Sequence, residues 1–181
     1  MRPRCLLALL LSAALLLLPA CGRETPPPPA AEVLSVMLSA MESTVQPLPD
    51  GITRLSSAPA DSPDRLTETF FSALYGEAAR GLLGGSSTES PPITDAALFL
   101  SLSPYPCELG VFRCVDGSAA GTVAGLCRGR LDTLSRGYKG SEWEGATAGG
   151  QVILEGNYVF LVICEDPASV LATARRFVKG S

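Results

Sequence analysis

The chain has 181 residues, with 14 Lys and Arg against 18 Asp and Glu, a formal net charge of −4 and no histidine. The missing histidine excludes Ser-His-Asp and Cys-His nucleophile pairs, zinc sites built on histidine, and the commonest general base. An acidic chain also lacks the basic surface that nucleic acid attracts, so we predict no nucleic-acid partner.

The first residues are typical of an export signal that ends in a lipidation site. Arg2 and Arg4 precede a Leu- and Ala-rich run at 6–18, which is shorter than the ~20 apolar residues of a permanent membrane span. Residues 18–21, Leu-Pro-Ala-Cys, resemble the lipobox of bacterial lipoproteins. In those proteins the cysteine receives a diacylglyceryl group and becomes the first mature residue. We therefore predict a signal peptide at 1–20 and a lipid with palmitate-type chains on Cys21.

Two other interpretations of this segment are weaker. Ordinary secretory cleavage after Ala20 prefers small residues at positions −1 and −3, and Leu18 occupies position −3. In the other interpretation Cys21 is an unmodified cysteine, which its place directly after the apolar run argues against.

Beyond the signal, the sequence predicts a short tether and one domain. Residues 21–30 contain four consecutive prolines at 26–29, and such a run favours a stiff, extended conformation. Residues 31–181 are within the usual size of a single domain. The tether would hold this domain just off the bilayer.

The order of apolar patterns predicts an α+β domain. Helix periodicity is found at 31–41, 64–83, 118–136 and 167–178. Strand-like segments lie at 96–102, 108–115, 151–154 and 157–164. Segments rich in Pro, Gly or Ser predict loops at 46–63, 84–92 and 138–150. Paired strands followed by a helix, twice over, indicate an antiparallel sheet of three to four strands covered by helices.

Two segments carry more detailed predictions. The unbroken apolar run at 157–164 predicts a strand buried on both faces, which we expect at the centre of the sheet. Asp166 suits the N-cap of the following helix and Pro167 its first position. In the helix at 118–136, the apolar residues share one side, and Arg128 and Arg130 are expected to point elsewhere.

Four cysteines lie in the predicted domain. On one strand, Cys107 and Cys114 would be ~23 Å apart, too far for a disulfide. Two complete pairings then remain open, Cys107–Cys127 with Cys114–Cys164, and Cys107–Cys164 with Cys114–Cys127. We predict buried free cysteines, because Cys114, Cys127 and Cys164 occupy positions of the apolar pattern, and a single Cys114–Cys164 bridge is the alternative.

Part of the sequence resembles a known family. The segment 109–114, the helix at 117–137 and the strand start Gly156-Asn157-Tyr158-Val159 resemble the bacterial lipoprotein family catalogued as domain of unknown function 4358. The resemblance extends over residues 32–178. It implies a membrane-tethered extracytoplasmic domain, and it implies no activity, cofactor or catalytic residue.

Candidate ligand contacts are confined to one loop. Glu142 and Glu144 flank Trp143, the only tryptophan, close to Tyr138. An aromatic ring between acids suits a cationic or sugar ligand, but a tryptophan that folds back over the sheet is the commoner outcome. We predict no catalytic, metal-binding or cofactor-binding residue.

The sequence therefore predicts a lipoprotein anchored in the cell membrane through Cys21 and facing the extracytoplasmic side. Its expected role is binding, or accessory to an envelope protein complex. The alternative is a carboxylate-dependent hydrolase of envelope material, which needs two acids across a cleft. A deep cleft lined by Glu142, Glu144 and Glu165 would favour that alternative.

Overall fold

A computed structural model describes residues 26–43, 49–84 and 91–180. The predicted signal peptide and the predicted lipidation site Cys21 lie outside the described residues. The helices are α1 (Ala30–Glu42), α2 (Glu68–Tyr75), α3 (Gly117–Gly137), α4 (Glu144–Ala148) and α5 (Pro167–Lys179), with a 3-10 turn at Glu77–Ala79. The strands are β1 (Gly51–Leu55), β2 (Ile93–Ser101), β3 (Glu108–Cys114), β4 (Gln151–Glu155) and β5 (Tyr158–Ile163).

The strands form one antiparallel sheet in the order β1-β2-β3-β5-β4. Helices α1 and α5 cover one face, and α2 and α3 cover the other. The predicted α+β domain with a helix-covered antiparallel sheet is confirmed, with five strands instead of three to four.

Burial on both faces explains the unbroken apolar sequence of strand β5. All six of its residues are buried. Tyr158, Phe160 and Val162 pack toward α1 and α5, while the alternate residues pack toward α2 and α3. The prediction of a strand buried on both faces is confirmed. Its central position is wrong, because β3 occupies the middle of the sheet. When helices cover both faces every inner strand becomes apolar, so the pattern does not reveal the strand's position.

The cap of α5 is also confirmed. The Asp166 side chain accepts a hydrogen bond from the Ser169 amide at 3.1 Å, and Pro167 is the first helical residue. This capping explains the aspartate shortly after the end of β5.

Three predicted segments are wrong in type or extent. The predicted loop at 46–63 contains β1, a five-residue strand that is recognisable only by its pairing with β2. The predicted helix at 64–83 shortens to α2 because the chain at 64–66 pairs with β1, where the Leu66 amide donates to the Leu55 carbonyl at 2.9 Å. The predicted loop at 138–150 contains the short helix α4.

The sheet register decides the cysteine geometry. Glu108 lies opposite Ile163, which places Cys107 opposite Cys164 at one end of β3. At the other end, the Cys114 amide donates to Asn157 at 2.8 Å. The alternative Cys114–Cys164 bridge is therefore wrong. Cys107, Cys114, Cys127 and Cys164 are all buried and free, as predicted.

Candidate functional site

The sheet has two ends that differ in character. At one end, which we call the cleft end, β2 leads into β3 beside a cleft of about 260 Å³. We call this cavity the Glu108 cleft and define it by five lining residues: Tyr105, Glu108, Arg130, Leu134 and Tyr138. The opposite end, the tether end, holds the end of β3 and the turn between β4 and β5.

A buried carboxylate forms the base of the Glu108 cleft. Glu108 is the first residue of β3 and is 3% exposed. It is two residues from Gly110 and four from Phe112, whose side chain packs on the α2 and α3 face, and strand alternation points Glu108 the same way. This direction brings it to Tyr75 of α2 and Arg130 of α3.

Both oxygens of the Glu108 carboxylate have partners. The Tyr75 hydroxyl donates to Oε1 at 3.1 Å, and Arg130 Nε donates to Oε2 at 3.0 Å. A second guanidinium nitrogen of Arg130 lies 2.9 Å from the same Oε2. Burial, and then the nearby Glu108 charge, raise the pKa of Tyr75 well above its ordinary value. Tyr75 therefore remains a protonated donor, and the cluster holds Arg130 in a fixed position.

This cluster corrects one sequence prediction. Arg130 was expected to point away from the apolar side of its helix, and instead its side chain reaches the sheet. It follows Cys127 by three residues and so lies on the same side of α3. The sequence did contain a signal for this contact, because Glu108 begins an apolar strand. A buried charge without a partner is costly, so Glu108 requires a basic side chain that points toward it.

Aromatic side chains form the wall of the Glu108 cleft. Tyr105 lines it, and the Trp143 ring meets the Tyr105 ring edge-on with centroids 5.3 Å apart. The Tyr105 hydroxyl is buried and finds no hydrogen-bond partner in the described part of the chain. A backbone group of Glu165 lies close enough to lower its pKa, but without hydrogen-bond geometry. Burial, followed by the neighbouring Cys107 and Cys164, nevertheless raises the pKa of Tyr105 to about 12, so the hydroxyl stays protonated.

The four predicted ligand contacts have different positions. Tyr138 lines the cleft, and Trp143 reaches it through Tyr105. Glu144 instead accepts a hydrogen bond from the Gly140 amide at 2.8 Å and begins α4. Glu142 is exposed and does not line the cleft. The geometry brings the two aromatic residues to the site and leaves the two acids outside it.

The cleft can bind but has few groups for catalysis. Its donors are the Arg130 guanidinium and the Tyr138 hydroxyl, and the Tyr105 ring adds an apolar surface. This set suits a small ligand with acceptor oxygens and a flat apolar part. Glu108 is the only carboxylate among its described lining residues. Across residues 26–43, 49–84 and 91–180, no three Cys, Asp or Glu side chains are grouped closely enough to hold a metal ion.

No family model, no curated protein and no solved structure matches this chain. The resemblance to the lipoprotein family 4358 therefore stays a prediction. In the segments that the structure describes, none of the helices has the length and apolar character needed to cross a bilayer.

Proposed function

We propose that this protein is a membrane-anchored extracytoplasmic lipoprotein that binds a small ligand, or an exposed group of an envelope protein, in the Glu108 cleft. The observation that carries the binding role is the donor set of the cleft, with Arg130 fixed by a buried carboxylate. Such preorganisation lowers the entropy that binding must overcome.

The anchor rests on Cys21, which directly follows a signal-like apolar run. Two acyl chains on this residue would hold the protein stably, whereas a single chain binds a membrane only marginally. Cys21→Ser is expected to abolish labelling by a palmitate analogue and to remove the protein from the membrane fraction. If Cys21→Ser sediments with membranes as wild type does, the anchor is wrong.

The binding role is tested by what co-purifies from solubilised membranes. Tyr138→Ala removes an aromatic ring from the cleft, so we expect it to lose a bound molecule or protein that mass spectrometry detects with the wild type. Arg128→Ala is the matched control, because Arg128 is exposed on the same helix and outside the cleft. Equal recovery with both variants would contradict binding in the cleft.

The hydrolase alternative has less support. Glu142, Glu144 and Glu165 do not line the Glu108 cleft, and they do not line two larger cavities of about 740 and 660 Å³. A glycosidase-type mechanism needs a second carboxylate across the cleft from the first, and the lining residues of the Glu108 cleft provide one only.

A further inference from the structure

The tether is fixed to the domain before it reaches the first helix. The Tyr158 hydroxyl donates to the Pro28 carbonyl at 2.5 Å, and Arg113 Nη1 donates to the Pro27 carbonyl at 3.3 Å. At the start of α1, the Ala30 amide donates to a carboxylate oxygen of Asp95 at 2.8 Å. Residues 27–30 thus belong to the folded domain, and the tether joins it at the tether end.

The length of chain before this point limits how far the domain can stand from its anchor. Pro26 is the fifth residue after Cys21, and an extended chain of five residues spans at most ~18 Å. A lipid on Cys21 would therefore keep Pro26 within that distance of the bilayer surface. The cleft lies at the far end of β3, ~20 Å further along the strand.

The tether end has features that suit lipid headgroups. It contains a groove of about 740 Å³, whose lining includes Pro27, Arg113, Asn157 and Lys179. Val115 also lines the groove and is 49% exposed, although it is a large apolar residue. Cationic side chains beside exposed apolar ones are suited to the boundary between headgroups and water.

Charge distinguishes the two ends. At the tether end, Arg113, Arg175, Arg176 and Lys179 balance the acidic residues Glu32, Asp95, Asp116 and Glu155. At the cleft end, the Glu108–Arg130 pair is neutral and acidic residues predominate over Arg136 and Lys139. These acidic residues are Glu42, Asp50, Asp132, Glu142, Glu144, Glu165 and Asp166. An anionic lipid surface would repel the cleft end and not the tether end.

We propose that the tether end rests on the lipid surface, with Val115, Asn157 and Lys179 at the level of the headgroups, and that the Glu108 cleft opens away from the membrane. The cleft then receives its ligand from the aqueous side and not from the bilayer. This orientation rests on the proposed lipid anchor at Cys21.

Tryptophan fluorescence can measure the orientation on the full-length lipidated protein. Trp143 is the only tryptophan, so Trp143→Phe provides a background for single reporters. Val115→Trp places a reporter at the tether end, and Leu102→Trp is its matched control at the cleft end. Both positions carry exposed apolar residues, 49% and 67% exposed.

The proteins are reconstituted into phosphatidylglycerol vesicles that contain phosphocholine lipid with a nitroxide on its headgroup, a short-range quencher. We expect quenching of Val115→Trp to exceed that of Leu102→Trp several-fold, and native Trp143 to behave like Leu102→Trp. Asn157→Trp is the second tether-end reporter if Val115→Trp does not fold.

Two failures are distinguishable. A wild-type chain that does not float with the vesicles overturns the anchor and, with it, the orientation. A chain that floats, but whose Leu102→Trp reporter is quenched as strongly as the tether-end reporter, overturns the orientation alone.

Discussion

The two ends of the sheet each hold a carboxylate paired with arginine, at similar distances and in different surroundings. At the cleft end, Glu108 and Arg130 approach to 2.9 Å with side chains 4% and 20% exposed. At the tether end, Glu155 lies 2.7 Å from Arg175 and 3.1 Å from Lys179, with the two cations about half exposed. The two ion pairs differ in burial and not in distance. Disruption of the buried Glu108–Arg130 pair is costly, whereas solvent screens the exposed pair at Glu155.

Arg130→Met should have the largest effect, because it leaves the Glu108 carboxylate buried with one partner removed. Breaking a buried ion pair costs ~3–5 kcal/mol of unfolding free energy, which urea denaturation measures. Arg128→Met, an exposed change on the same helix, should change stability little. Equal stability of both variants would contradict the claim that the Glu108–Arg130 pair stabilises the folded protein.

The double variant Arg130→Met with Glu108→Leu sharpens the same comparison. Replacing both charges by apolar groups often restores stability, so we expect it to regain most of the loss while losing binding in the cleft. A double variant that binds normally would show that the Glu108–Arg130 pair is not needed for binding in the cleft.

The buried thiols should show a large kinetic effect at both ends. Burial raises the pKa of Cys107 to about 12 and the pKa values of Cys114 and Cys164 to about 11, from 9.0. Since the thiolate is the reactive form, alkylation at pH 8 should be at least ~100-fold slower in the folded protein than after unfolding.

Unfolding without reductant should expose Cys107, Cys114, Cys127 and Cys164 to labelling. Mass spectrometry counts the labelled residues. Two cysteines that react only after reduction would show that a disulfide has formed and would contradict the free thiols.

Glu155→Gln at the tether end should have the smallest effect. Hydrogen bonds from Arg175 and then Lys179 lower the pKa of Glu155 from its ordinary value of 4.5. Because the folded state favours the ionised carboxylate, its contribution is present above pH 4.5 and is lost as pH falls through the lowered pKa. The stabilities of wild type and Glu155→Gln should differ slightly at neutral pH and low salt, and converge in acid.

High salt should also remove the Glu155 difference, since exposed pairs are screened. A difference between the two proteins that persists in acid and in high salt would show that the tether-end pair acts through something other than its charge.

Local patterns predicted the elements that bury a continuous apolar surface. The apolar run of β5 and the capped helix after Asp166 could both be predicted, because burial and capping determine which residue types occur within a few positions. Strand β1 could not be predicted, since this segment is extended because it pairs with β2 and not because of its own sequence.

The site was less predictable than the fold. Tyr138 and Trp143 were recognised as candidates, but Glu108, Arg130 and Tyr75 are separated in sequence and meet only across the sheet face. Each alone has an ordinary local role at a strand start or on a helix. Their shared function as a cluster depends on the tertiary contacts of α2, α3 and β3.

Photo-crosslinking in living cells tests the central claim most directly, with benzoylphenylalanine placed at Tyr138 or, as the control, at Ala172. Ala172 is exposed on α5, away from the cleft. We predict a discrete crosslinked product from the Tyr138 position that is absent from the Ala172 position and lost in the Cys21→Ser background. Identical products from both positions, or none from Tyr138, would contradict a binding function for the Glu108 cleft.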